Sequence, residues 1–181
     1  MSATLGPIHI WLYKKIKFQD NINDFLAEKY NLNYNSLGNS NLEDVIDEMN
    51  IHGYLQGKIN EVESGYNKLI TEILKKTDIE EIYKVIFQYG EEHELKLNSP
   101  QDIYKELTDL MLDGMPCDRS IEVVDSFDDY IKWELVIDVH SPFWENIEIY
   151  HNLRTYLING MVKNAGFILK NQNNTFTLER C

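Results

Sequence analysis

Residues 40–76 read SNLEDVIDEMNIHGYLQGKINEVESGYNKLITEILKK, the longest unbroken pattern in the chain. Ser40-Asn41-Leu42-Glu43 has the spacing of a capping box, in which a serine oxygen takes the N3 amide proton and a glutamate reaches back to the cap amide. Beyond it, Leu42, Val45, Ile46, Met49, His52, Ile59, Val62, Tyr66, Leu69, Ile70 and Ile73 recur at spacings of three and four. That period predicts one helix from about Asn41 to Lys76 with a single apolar face. Gly53, Gly57 and Gly65 interrupt it, each costing roughly 1 kcal/mol against alanine in a helix interior. Gly53 and Gly57 lie four apart, which predicts a groove for the backbone of another helix. The sharper alternative is a ligand site, since His52 and Gln56 border that groove one turn apart.

Working toward the N-terminus, residues 31–39 are rich in asparagine with Ser36 and Gly38, and read as a loop. Ahead of them Gly6-Pro7 opens a first helix, proline being tolerated where the amide has no partner. Its stripe is Ile8, Trp11, Leu12, Ile16, Ile22, Phe25 and Leu26. His9 flanks that stripe and joins His52, Gly53, Gln56 and Gly57 as a candidate ligand-binding residue.

Working toward the C-terminus, Thr77-Asp78-Ile79-Glu80 is a second capping box. It starts a third helix through Ile79, Ile82, Tyr83, Ile86 and Tyr89, with His93 continuing the stripe. Ser99-Pro100 starts a short fourth helix that Asp113-Gly114 ends. Then the period changes to two: Ile131, Trp133, Leu135, Ile137 and Val139 alternate with polar residues, the mark of a half-buried strand. Residues 119–124 supply its hairpin partner. Ile147, Tyr150, Leu153, Leu157, Ile158 and Met161 mark a final helix closed by Gly166, and residues 167–170 and 175–178 form a second hairpin. The prediction is an α+β protein: a four-helix layer over residues 1–114, then a ββαββ antiparallel sheet with one covering helix over 115–181, together one domain.

The charge of −13 over 181 residues opposes binding to nucleic acid and to anionic membranes. No run approaches the ~20 apolar residues of a membrane span, the N-terminal run lacks a preceding basic region, and two cysteines make no disulfide framework. A cytoplasmic protein is expected, and the heavy use of Asn, Ile, Lys and Tyr suggests an AT-rich bacterial genome.

Metal-ligating residue types are sparse. Glu148 and His151 have the Glu-x-x-His spacing of a di-iron helix, but only once. Cys117 precedes the first strand and His140 follows the second, so a hairpin brings them to one edge of the sheet, near the start of the last helix. Cys117, His140, His151 and Glu148 form the candidate metal set, suited in kind to zinc or iron. Asp138 and His140, two apart on one strand face, also read as a base with its orienting carboxylate. No nucleophile elbow, Gly-x-Gly-x-x-Gly or Walker loop is present. The functional expectation is a small-molecule- or metal-binding domain. The alternatives are an interaction module that forms a homodimer through aromatic surface, and an enzyme using Cys117 with His140 or His151 as base.

Overall fold

In the computed structural model, which describes residues 5–47, 49–115 and 118–181, six α-helices precede or interleave with four strands. The helices are α1 (Pro7–Tyr30), α2 (Leu42–Val45), α3 (Ile51–Leu74), α4 (Ile79–Glu92), α5 (Pro100–Leu110) and α6 (Ile147–Val162). The strands are β1 (Ile121–Ser126), β2 (Tyr130–Leu135), β3 (Phe167–Gln172) and β4 (Thr175–Arg180). The α+β class and the ββαββ order are as predicted. None of the described helices is long and apolar enough to cross a membrane. Two compact units divide the chain: the first runs to Lys75 and takes in Asp109–Leu112, and the second holds Lys76–Thr108 and Asp113–Cys181.

In the first unit α1 packs on α3. The long helix expected over 41–76 is broken. Ile46 turns extended, the Asp47 carboxylate accepts the Met49 amide at 3.0 Å, and Asn50 accepts the Gly53 amide at 3.1 Å as the cap of a new helix. Short polar side chains that bond their own backbone compete with helix continuation. The break also resets the phase, so Ile51, Leu55, Val62, Tyr66, Leu69, Ile70 and Ile73 are buried while Met49 is 96% exposed. Ser40 does not cap, for Asn41 holds that position.

In the second unit Asp78, one residue later than expected, caps α4 through the Glu81 amide at 2.9 Å. The sheet order is β1-β2-β4-β3, antiparallel throughout. Ile131, Trp133, Leu135, Phe167, Leu169, Phe176 and Leu178 are buried on one face, with Trp133 opposite Phe176 and Ile131 opposite Leu178. The helix α6 packs on β3 and on α4. On the other face the row Lys132, Thr177, Lys170 stays polar. The β3–β4 turn places Asn173 and Asn174 at φ 52° and 62°, the two positive values a tight two-residue hairpin needs and asparagine tolerates. The strand expected to reach Val139 ends at Leu135, because the Val136 amide turns to the Ser120 carbonyl at 2.8 Å and Asp138 starts a turn.

Candidate functional site

Where β2 gives way to α6, the second unit concentrates its buried ionisable groups. Asp138 Oδ1 accepts the amides of His140 at 3.0 Å and Ser141 at 3.2 Å, tightening the turn that follows the strand. Asn146 then caps α6 through the Glu148 amide at 3.1 Å, and the helix turns Tyr150, His151 and Arg154 inward. Arg154 grips Asp113 with both terminal nitrogens, Nη2 lying 2.5 Å from Oδ2 and Nη1 on Oδ1. His140 Nε2 lies 3.2 Å from the same Oδ1 and 3.0 Å from the Tyr150 hydroxyl, with the two rings stacked 4.0 Å apart. His151 Nε2 lies 2.8 Å from Asp138 Oδ2.

The electrostatics follow from this pairing. Burial alone would push the Asp113 carboxyl up, but the Arg154 guanidinium and the His140 hydrogen bond overcome it and hold Asp113 well below the usual carboxylate range. For His151 burial wins: it pushes the imidazole down against the opposing pull of Asp138. His151 is therefore a neutral ring oriented by a carboxylate, the pairing of a general base. Its Nδ1 is nevertheless buried, with no partner among the described residues. His140 and His151 are 1% and 3% exposed, so no substrate reaches either ring in this conformation.

Several expectations change here. Asp138 serves His151, while His140 is drawn to Asp113, because the strand stops before Asp138 and the two side chains leave the common face they would have shared. Glu148 is exposed on the first turn of α6 and does not join the histidines. Cys117 lies outside the described residues. Among the described residues no three His, Cys, Asp or Glu side chains gather as metal ligands. The sequence reading takes Asp113 only as part of a helix end and leaves Arg154 out, yet a signal for their pairing exists. Tyr150, Arg154 and Ile158 form one i, i+4 row of the helix, and an arginine inside an apolar row calls for a buried counterion.

In the first unit, His9 and His52 come together edge to face, ring centroids 5.1 Å apart. His9 Nδ1 accepts the Gly6 amide at 3.0 Å, closing the start of α1 and leaving that nitrogen no lone pair for a metal. His52, Gly53 and Gln56 are exposed, and Gln56 bonds Asn60 at 3.0 Å. Among the described residues no helix crosses α3 at Gly53 and Gly57, contrary to expectation. A Cβ on Gly57 would meet nothing within 4 Å among the described residues, and the atoms nearest to one on Gly53 belong to the Asn50 cap, its Cγ 2.7 Å away. In the second unit His93 likewise leaves its stripe, exposed at the end of α4 with Nδ1 2.8 Å from the Tyr89 carbonyl.

A different part of the first unit is open. The loop 31–39 is fastened by Asp20, which is fully buried on α1. Its carboxylate accepts Tyr34 Oη at 2.9 Å, Ser36 Oγ at 3.0 Å, the Leu37 amide at 3.1 Å and Lys17 Nζ at 3.0 Å. Asn23 adds bonds to Tyr34 Oη at 3.1 Å and to the Val62 carbonyl at 2.8 Å. Between this loop and α3 lies a cleft of about 480 Å³, lined by Leu32, Tyr34, Leu37 and Leu69 with Asn33, Asn35, Glu61, Lys68 and Glu72 at its rim. Gly65 makes the fit possible, since a Cβ there would stand 2.8 Å from the Tyr34 ring. The loop and the glycine are each legible in the sequence, but Asp20 lies outside the apolar stripe of α1 and carries no sign there that it joins them. Compared with known proteins, the chain matches no family, no curated protein and no solved structure.

Proposed function

We propose that this protein binds a small amphipathic carboxylate in the cleft between the asparagine-rich loop and α3. The observation that carries the reading is the Asp20 tether. Four donors on one buried carboxylate hold the cleft wall in place, so a ligand need not order the loop on binding, and preorganisation is what turns contacts into affinity. The volume lies within the range of small-molecule sites, and the lining combines an apolar floor with a few polar groups at the rim. At that rim Glu61 and Glu72 are already paired with Lys58 and Lys75, at 2.7 and 2.6 Å. Lys68 has no ion-pair partner among the described residues, so the charge left for a ligand is an ammonium.

The test is a titration of the full chain with hexanoate and phenylacetate against hexylamine and phenethylamine, read by amide NMR shifts. The acids are expected to saturate with shifts at Tyr34, Leu37, Gly65 and Leu69. Lys68→Gln should weaken them by up to about fivefold, the range of an exposed ion pair. Equal binding of acids and amines, or shifts confined to other residues, overturns the reading.

A further inference from the structure

Among the described residues the sheet ends on β1, which pairs only with β2 and leaves the amides and carbonyls of its outer side without a strand partner. Such an edge is a template for another extended chain, and proteins guard it with charge, bulges or cover. Here the guard is one-sided. Val123, Val124 and Phe127 are 45%, 53% and 55% exposed, and Phe127 extends the apolar surface by stacking on Tyr130 at 5.2 Å. Val123 shares a register position with Trp133 and Val124 is the extra residue at the bulge between Val123 and Asp125, so the strand is wet on both faces. Interleaved with these are Glu122, Asp125, Asp128 and Asp129, and no Lys or Arg occurs between Arg119 and Lys132. Gln101 fixes the strand's far end by donating to Ser126 Oγ at 3.0 Å and to the Phe127 carbonyl.

We infer that the β1 edge is a docking strand for an extended segment of a partner that alternates basic and apolar residues. Backbone hydrogen bonds would add it to the sheet, its apolar side chains covering Val123, Val124 and Phe127 and its cations meeting the four carboxylates. Charge selects this occupant over a second copy, because two β1 strands side by side set acid against acid. It also selects β1 over the opposite edge, since β3 carries Lys170 and no acid.

Three blocked ten-residue peptides test this on the full chain: alternating lysine and valine, alternating glutamate and valine, and alternating lysine and proline, whose prolines lack amide donors. The lysine-valine peptide is expected to saturate, to protect backbone amides of 121–126 from exchange, and to bind at least tenfold more tightly than the other two. Changing the exposed Glu122, Asp128 and Asp129 together to lysine, with Asp125 left on its Tyr130 bond, should reverse the preference between the lysine-valine and glutamate-valine peptides, while the melting transition shows the fold retained. The inference is overturned by absence of saturation, by protection mapping to 167–172, by equal binding of the lysine-proline peptide, by an unaltered preference in the triple variant, or by a concentration-dependent dimer of the free protein that protects 121–126.

Discussion

Gly90 on α4 and Gly160 on α6 touch backbone to backbone: a Cβ on Gly160 would stand 3.0 Å from Gly90 Cα, and one on Gly90 would stand 3.1 Å from Gly160 Cα. Each would also press into a main-chain carbonyl of the facing helix, that of Phe87 or Leu157. Main chain cannot swing aside as a side-chain tip can. Gly160→Ala is therefore expected to lower stability by about 1–3 kcal/mol, the cost of overpacking. Gly57→Ala, at a helical position with open space, should raise it by roughly 0.5–1 kcal/mol. Denaturant melts of the two variants check this directly, and a Gly57 variant as damaged as the Gly160 one would mean that α3 is crossed after all.

Acid should weaken the second unit in two stages. The His151 imidazole, lowered by burial, takes its proton less readily in the fold than in the unfolded chain, where it titrates near about 6.5. The unfolded state then binds more protons, so this contribution is complete above about pH 6.5 and fades as pH falls, with a slope of at most about 1.4 kcal/mol per pH unit. Asp113 is also depressed, so its contribution is complete above about pH 4 and fades below it. Stability measured between pH 7 and 5 should lose much of its slope in His151→Asn but keep its further fall below pH 4. A wild-type stability flat from pH 7 to 5 would contradict the buried neutral ring.

Asp20→Asn should cost about 1.5–3 kcal/mol, since hydrogen bonds to a charged acceptor are the stronger kind and this carboxylate takes several. The loss should be local in character. Hydrogen exchange at Tyr34 and Leu37 is expected to quicken more than exchange at Ile70 or Ile73 in the core of α3. Uniform quickening across the first unit would mean that Asp20 supports the whole helix pair and not the cleft wall in particular.

Periodicity carried most of the fold. The alternation around Trp133 and the three-and-four spacing of Ile82, Tyr83, Ile86 and Tyr89 depend on residue type alone, and those elements begin about where they were expected. The misreadings occur where a side chain bonds the backbone. Asp47 and Asn50 break a pattern that hydrophobic spacing carries straight through, and Asp138 stops a strand whose alternation continues to Val139. The site was less legible because its members are distant in sequence: Asp113 and Arg154 meet across 41 positions, and Asp20 and Tyr34 across a loop whose path no local rule dictates. His140 and His151 were singled out for their chemistry, but only the turn at Asp138 determines which acid each one meets.

Asn50 and Gly53 offer the sharpest check on the broken helix. The Asn50 side chain accepts the Gly53 amide and fills the space where a Cβ of residue 53 would be, with Asn50 Oδ1 2.6 Å and Cγ 2.7 Å from that point. Gly53 is thus a consequence of the cap rather than of a neighbouring helix. Asn50→Ala alone should cost about 1 kcal/mol, the usual loss on removing a helix cap. Gly53→Ala alone should also destabilise, because the new methyl expels the capping side chain and forfeits the same bond. In the Asn50→Ala background the clash is gone, and Gly53→Ala should instead stabilise by roughly 0.5–1 kcal/mol through helix propensity. The double-mutant cycle therefore has a coupling of the order of 1–2 kcal/mol with a change of sign at residue 53, as contacting residues allow. Additive effects would place the start of α3 elsewhere and restore the continuous helix that the sequence pattern implied.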